Sequence, residues 1–236
     1  MKVIGKDIGG VLNSMYQLVA GRVGTAEREL RVVAFDGGGE GLSDVQWAPK
    51  TVTISLHTGI PTHALPHVLG VALQHVRQSL DGYPSVLKPK GRQSEGSDLV
   101  RAALRELVLE PDAESQLNGL ALDREWEVEQ RHQGMKALLK SPPADWNEEG
   151  SLGNLFIGLQ YARMALTHPP EMWKALEKST GEVLPAAATV GARALLAVKR
   201  RRWGSATNAL DSFCYVRDEL DIGDLVRIED AGGNEH

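Results

Sequence analysis

The apolar positions of this chain keep a helical period almost throughout and break it mainly between residues 29 and 56. In residues 7–20, Ile8, Val11, Leu12, Met15 and Val19 recur at three- and four-residue steps. That spacing predicts an amphipathic helix with Asp7 as N-cap and Gly21 as its stop. Residues 29–35 alternate instead: Leu30, Val32 and Ala34 interleave with Arg31, Val33 and Phe35, as in a strand partly buried on both faces. Residues 51–56 alternate more cleanly, with Val52, Ile54 and Leu56 on one face and Thr51, Thr53 and Ser55 on the other. The glycine-rich stretch 36–41 between them reads as a turn, so the two strands predict a small antiparallel sheet near the N-terminus.

From Pro66 onward the period is helical. Pro66 suits the first turn of a helix reaching Leu80, closed by Asp81-Gly82-Tyr83-Pro84. A polar loop over 93–97 precedes a helix over 99–110, with Val100, Ala103, Leu104 and Leu107 inward and Pro111 as its stop. A short helix then ends near Asn118-Gly119, and Asp123 caps a longer one reaching Lys140. Ser141-Pro142-Pro143 is the best internal boundary. It divides an α+β region over 1–140 from a helical region over 144–228, the two packed together and equally readable as one continuous domain. In the latter, Leu152, Leu155, Phe156, Leu159, Ala162 and Leu166 form a stripe ended by Pro169-Pro170. Further helices are predicted over 171–178, 186–201 and 205–220, and a frayed tail over 230–236. The fold class is α+β, predominantly α.

Composition narrows the function. Hydrophobic residues make up 42% and charged residues 24% of 236, which is globular rather than disordered. A net charge of −5 disfavours nucleic acid as the main partner. Cys214 is the single cysteine, so neither an intrachain disulfide nor a cysteine-based zinc site can form. No apolar stretch reaches signal-peptide or membrane-spanning length, which predicts a soluble, cytoplasmic protein with no membrane partner.

One segment carries chemistry. Residues 51–84 run amphipathic strand, short loop, helix, then Gly82-Tyr83-Pro84, and the helix contains Val71-Ala72-Leu73-Gln74-His75. This order resembles the active-site region of zincin metallopeptidases, the gluzincin-type minimal ones in particular, without an intact HExxH. In HExxH two imidazoles one turn apart clamp zinc, and the Glu between them takes a proton from the bound water. Here Val71 and Ala72 stand where the first His and the Glu belong, and His75 alone matches. The resemblance covers about residues 51–140. It implies a silent peptidase fold, and a third ligand from an acid on a following helix, for which Glu106, Glu110 and Glu114 are spaced. Pro111 is expected to leave only Glu106 and Glu110 on one face.

Three functional readings follow. The first is a catalytically silent metallopeptidase-like module that binds a protein or peptide by strand addition at Thr51, Thr53 and Ser55, with no cofactor. The second is a metal-dependent hydrolase with zinc held by His67, His75 and Glu110. Against it, His67 and His75 lie two turns apart, about 12 Å along a helix. On those grounds His67 is expected as a first-turn surface residue and His75 as a hydrogen-bonded, partly buried one, with His63 in the loop before Pro66. The third is a plain helical interaction protein.

Weaker signals add little. Two carboxylates beside the glycines of 36–41 argue against a phosphate loop. The basic run Lys199-Arg200-Arg201-Arg202 complements a helix C-terminus, with Trp203 packed inward. Between Arg101 and Gln130, eight acidic residues against three basic ones give a balance equal to that of the whole chain. That face suits solvent, a basic partner protein, or the basic run of a second subunit in a homodimer. Cys214 sits in an apolar helical pattern and reads as an inert small hydrophobe.

Overall fold

A computed structural model describes residues 1–37, 41–91, 95–201 and 203–236. The expected glycine turn, polar loop and basic run therefore lie partly outside the described residues. Helix makes up 59% and strand 13%, so the chain is α+β and predominantly α. It forms two compact units, Met1–Asp81 with Ala113–Glu127, and Gly82–Asp112 with Val128–His236. The 141–143 break lies inside the second unit. No helix among the described residues is long and apolar enough to cross a membrane.

The first unit opens with a two-stranded hairpin, β1 (Lys2–Val3) and β2 (Lys6–Asp7), followed by α1 (Gly9–Thr25). Then come β3 (Glu29–Phe35), β4 (Ser43–Trp47), β5 (Thr51–His57) and α2 (Leu65–Leu80). The sheet order is β3-β5-β4. It is mixed rather than antiparallel: Val32 lies opposite Ile54 in a parallel pair, and Val45 opposite Ile54 in an antiparallel one. The reason is β4, too short to stand out by alternation. It forms a hairpin with β5, so β3 takes the remaining edge of β5 and runs parallel to it.

Val52, Ile54 and Leu56 of β5 are fully buried against Leu12, Val19 and Val23 of α1 and Leu65, Leu69, Leu73 and Val76 of α2. Burial of Val23 carries α1 past Gly21, where the sequence pattern ends it. Lys6 Nζ donates to the carbonyls of Thr58 and Ile60, tying the N-terminal hairpin to the loop that leads into α2.

The second unit is built on α3 (Ser97–Leu117), α4 (Glu125–Lys140), α5 (Leu152–Thr167), α6 (Pro170–Val183), α7 (Pro185–Arg201) and α8 (Ala206–Glu219). A 3₁₀ turn, Ala144–Asn147, precedes α5. Residues of α3 through Asp112 belong to this unit and those from Ala113 to the first; α4 divides likewise after Glu127. Pro111 lies inside α3 instead of ending it. The proline forfeits one helical hydrogen bond, but burial of Ala113 and Leu117 on the following turns keeps the chain helical. Ser151 and Ser205 cap α5 and α8 by accepting from the amides of Asn154 and Asn208.

Strands β6 (Ser85–Leu87) and β7 (Arg227–Glu229) pair antiparallel. The tail is ordered where fraying is expected. Asp230 accepts from the amides of Gly232 and Asn234, the Arg217 guanidinium donates to the His236 carbonyl, and Glu229 bridges to Glu235.

The closest helix approach within this unit joins α5 and α7. A Cβ on Gly158 would stand 2.4 Å from Val190 Cγ1, and one on Gly191 2.7 Å from the Gly158 carbonyl oxygen. Neither site has room for a methyl group without moving backbone. Gly158→Ala and Gly191→Ala are each expected to destabilise the protein by about 1–3 kcal/mol, read as a lower urea midpoint. Gly181→Ala on α6, whose Cβ meets nothing within 4 Å, is expected to leave the midpoint unchanged or raise it.

Candidate functional site

Helix α2 starts where the loop after β5 ends, with Pro66 in its first turn. Its apolar face is fixed by the sheet, and that fixes where its polar side chains point. His67 falls on a buried face rather than at the surface, with its side chain only 3% exposed. Its Nδ1 lies 2.9 Å from Glu127 Oε2 and its Nε2 3.2 Å from Glu114 Oε2. The two carboxylates come from the last turns of α3 and the first turn of α4, and all three residues belong to the first unit.

An imidazole can donate from both nitrogens only when protonated. Burial alone would lower the pKa of His67, but the hydrogen bonds and charges of Glu114 and Glu127 outweigh it and lift the pKa to about 9. At neutral pH His67 is therefore an imidazolium between two carboxylates. The apolar wall around it is close: Gly70 lies against Leu117 and Leu122, where a Cβ would come within 3.2 Å of a leucine methyl. Val71, one turn after His67, packs with Ala113 and Leu117.

The other residues singled out in the sequence lie elsewhere. His75 is half-buried and donates from Nδ1 to Gln78 Oε1 of its own helix at 2.9 Å, as the periodicity suggests. Glu110 belongs to the second unit, where its carboxylate is held by Arg131 and Arg163. His63 is exposed, 3.9 Å from Asp123. Among the described residues no group of three or more His, Cys, Asp and Glu side chains is placed to hold a metal ion. His67 Nε2 faces Glu114, and Glu127 on Nδ1 stands where a carboxylate would orient a ligating imidazole. Sequence reasoning offers Glu114 but sets it off the shared face because Pro111 is expected to end the helix, and it misses Glu127, which sits in an acidic run that looks like a solvated face.

Thr51, Thr53 and Ser55 lie on β5, which is the central strand. Both its edges are paired, to β3 and to β4, so these residues cannot take an added strand. The edge beside α2 is β4. The main-chain bonds Ala48 N–H to the Thr51 carbonyl and His57 N–H to the Leu42 carbonyl fix the phase of the ladder. Even-numbered residues of β4 bond to β5, and Ser43, Val45 and Trp47 turn their N–H and C=O groups outward. Among the described residues no strand pairs with that outer edge. Trp47 ends it, 39% exposed, with the Arg28 guanidinium 5.6 Å above its ring and Arg28 Nε bonded to the Ala48 carbonyl.

Comparison with protein-family models, with curated proteins and with solved structures gave no match.

The His67 triad sets a pH dependence. Its folded pKa lies above the unfolded 6.5, so its stabilisation is complete below pH 6.5 and is lost as pH rises through about 9. The loss is about 3 kcal/mol, read as a falling urea midpoint. Glu114→Gln is expected to lower the His67 ring pKa by at least one unit in histidine-ring NMR and to flatten that alkaline loss. An unchanged ring pKa would show that Glu114 does not hold the proton.

Proposed function

We propose that the first unit is a catalytically silent metallopeptidase-like fold that binds an extended segment of a protein or peptide along β4. The observation that carries this reading is the outer edge of β4, where Ser43, Val45 and Trp47 direct unpaired main-chain groups away from the sheet. A strand with such an edge, lacking Lys or Pro along its five residues, is a template for strand addition. The partner strand supplies complementary N–H and C=O groups, and alternate side chains meet Val45 on one face and Asp44 and Gln46 on the other.

The silence rests on α2. The zincin resemblance is better framed on His67–Val71 than on Val71–His75, since His67 is the imidazole that meets carboxylates from the following helices. In that frame Val68 stands for the base and Val71 for the second ligand. Valine can neither take a proton nor bind a metal, and both nitrogens of His67 are already engaged.

Val45→Pro tests the binding edge, because it removes one outward N–H without touching the ladder to β5. An immobilised array of extended twelve-residue peptides is expected to yield binders for the wild type that lose at least tenfold in affinity with Val45→Pro. Equal binding by both proteins, or no binding by the wild type, overturns the reading. Val71→His tests the kinship: it places two imidazoles one turn apart beside Glu114, and zinc binding in isothermal titration is the expected gain. A folded variant that takes up no zinc removes the support for kinship.

A further inference from the structure

We propose that His168, packed on His132, is an acid-sensitive latch in the second unit, in which protonation of His168 releases the α5–α6 corner from α4. His132 lies in α4, and His168 directly follows α5, held extended before Pro169 and Pro170. The two rings are 6.0 Å apart between centroids and tilted by 35°. Both residues are buried, His168 to 7% and His132 to 9% exposure. Among the described residues neither ring nitrogen of His168 has a hydrogen-bond partner, nor has Nδ1 of His132.

The charged groups facing the pair come from three helices. Arg131 is the neighbour of His132 on α4, Arg163 lies on α5, and Glu106 and Glu110 come from α3. Arg131 and Arg163 both hold Glu110; Arg163 also bonds Glu106 at 2.6 Å, and Gln160 donates to the same carboxylate at 3.0 Å. Two guanidiniums and two carboxylates thus form one charged network beside the rings. A proton on His168 adds a cation beside Arg131 and Arg163 in a buried site. The same two guanidiniums make a metal cation a poor occupant.

Burial, then the positive charges of Arg131, His132 and Arg163, push His168 down to about 4, against the pull of Glu110. A histidine whose folded pKa lies below its unfolded value favours the folded state at high pH, and that advantage is lost as pH falls from 6.5 toward 4. Beyond the polar layer, α4 is held by Met135 and Leu139 packed with Met164 and Leu176. These contacts do not titrate, so the response of this corner to acid lies in the polar layer.

Histidine-ring NMR on the full chain reads the pair directly. The His168 ring is expected to stay neutral down to pH 5; a ring that titrates above pH 5 overturns the proposal. Urea unfolding then compares wild type with His168→Phe. Between pH 6.5 and 4.5 the wild-type unfolding constant is expected to rise about 40-fold relative to the variant, since the unfolded ring is already half protonated at the upper limit and the folded ring begins to take a proton at the lower. Parallel curves overturn the proposal; His168→Gln carries the same comparison where the phenylalanine variant does not fold. At pH 4, amide signals in 128–140 and 164–173 are expected to be lost while those of α7 and α8 remain. Simultaneous loss of all signals would mean plain acid unfolding rather than a latch.

Discussion

The first unit depends on a protonated imidazole held between two carboxylates. Segment Ala113–Glu127 is distant in sequence from the rest of that unit, and both apolar and polar contacts join it to α2. Val71 packs with Ala113 and Leu117, Gly70 lets Leu117 and Leu122 approach, and His67 takes Glu114 on one nitrogen and Glu127 on the other. The first two are apolar and permit sliding. The third is directional, and it fixes the end of α3 and the start of α4 against one side chain, so the turn between them is closed by a charge. Removing either acid would leave a buried ion with half its partners, which costs far more than the pair contributes.

The same clamp engages both nitrogens of His67. A metal-bound imidazole presents one free nitrogen to the ion and donates from the other. In His67 the nitrogen that would face the ion instead donates to Glu114. The proton does locally what a cation would do: it neutralises the acid that approaches from α3. Val71 fills the next place with a side chain that seals the apolar wall. The result is an anchored helix beside a strand edge that no other strand pairs with among the described residues.

Much of the fold is legible in the periodicities, because they record burial directly. The cleanly alternating strand became β5, and the stripe from Leu152 to Leu166 became α5. What the pattern missed depends on partners remote in sequence. β4 is too short to show a period, and its pairing alone decides that β3 runs parallel to β5. Pro111 has a local cost that local reasoning counts, whereas the burial of Ala113 and Leu117 that offsets it is tertiary. The site suffers from the same blindness: His67 was in view, but Glu114 lay beyond a proline and Glu127 within an acidic run. No local signal distinguishes those two carboxylates from their solvated neighbours.

The two buried histidines of α2 and of the α5–α6 corner show how little residue type decides. Each is withdrawn from water, which disfavours the charged form of both. His67 meets two carboxylates and is lifted to about 9; His168 meets two guanidiniums already matched by acids and falls to about 4. One is a permanent cation across the physiological range and the other a permanent neutral. Their opposite states follow from which charged side chains the packing of apolar helix faces carries inward. Those faces are written in the three- and four-residue spacing of the sequence, so the charge of each imidazole is set by residues chosen for burial.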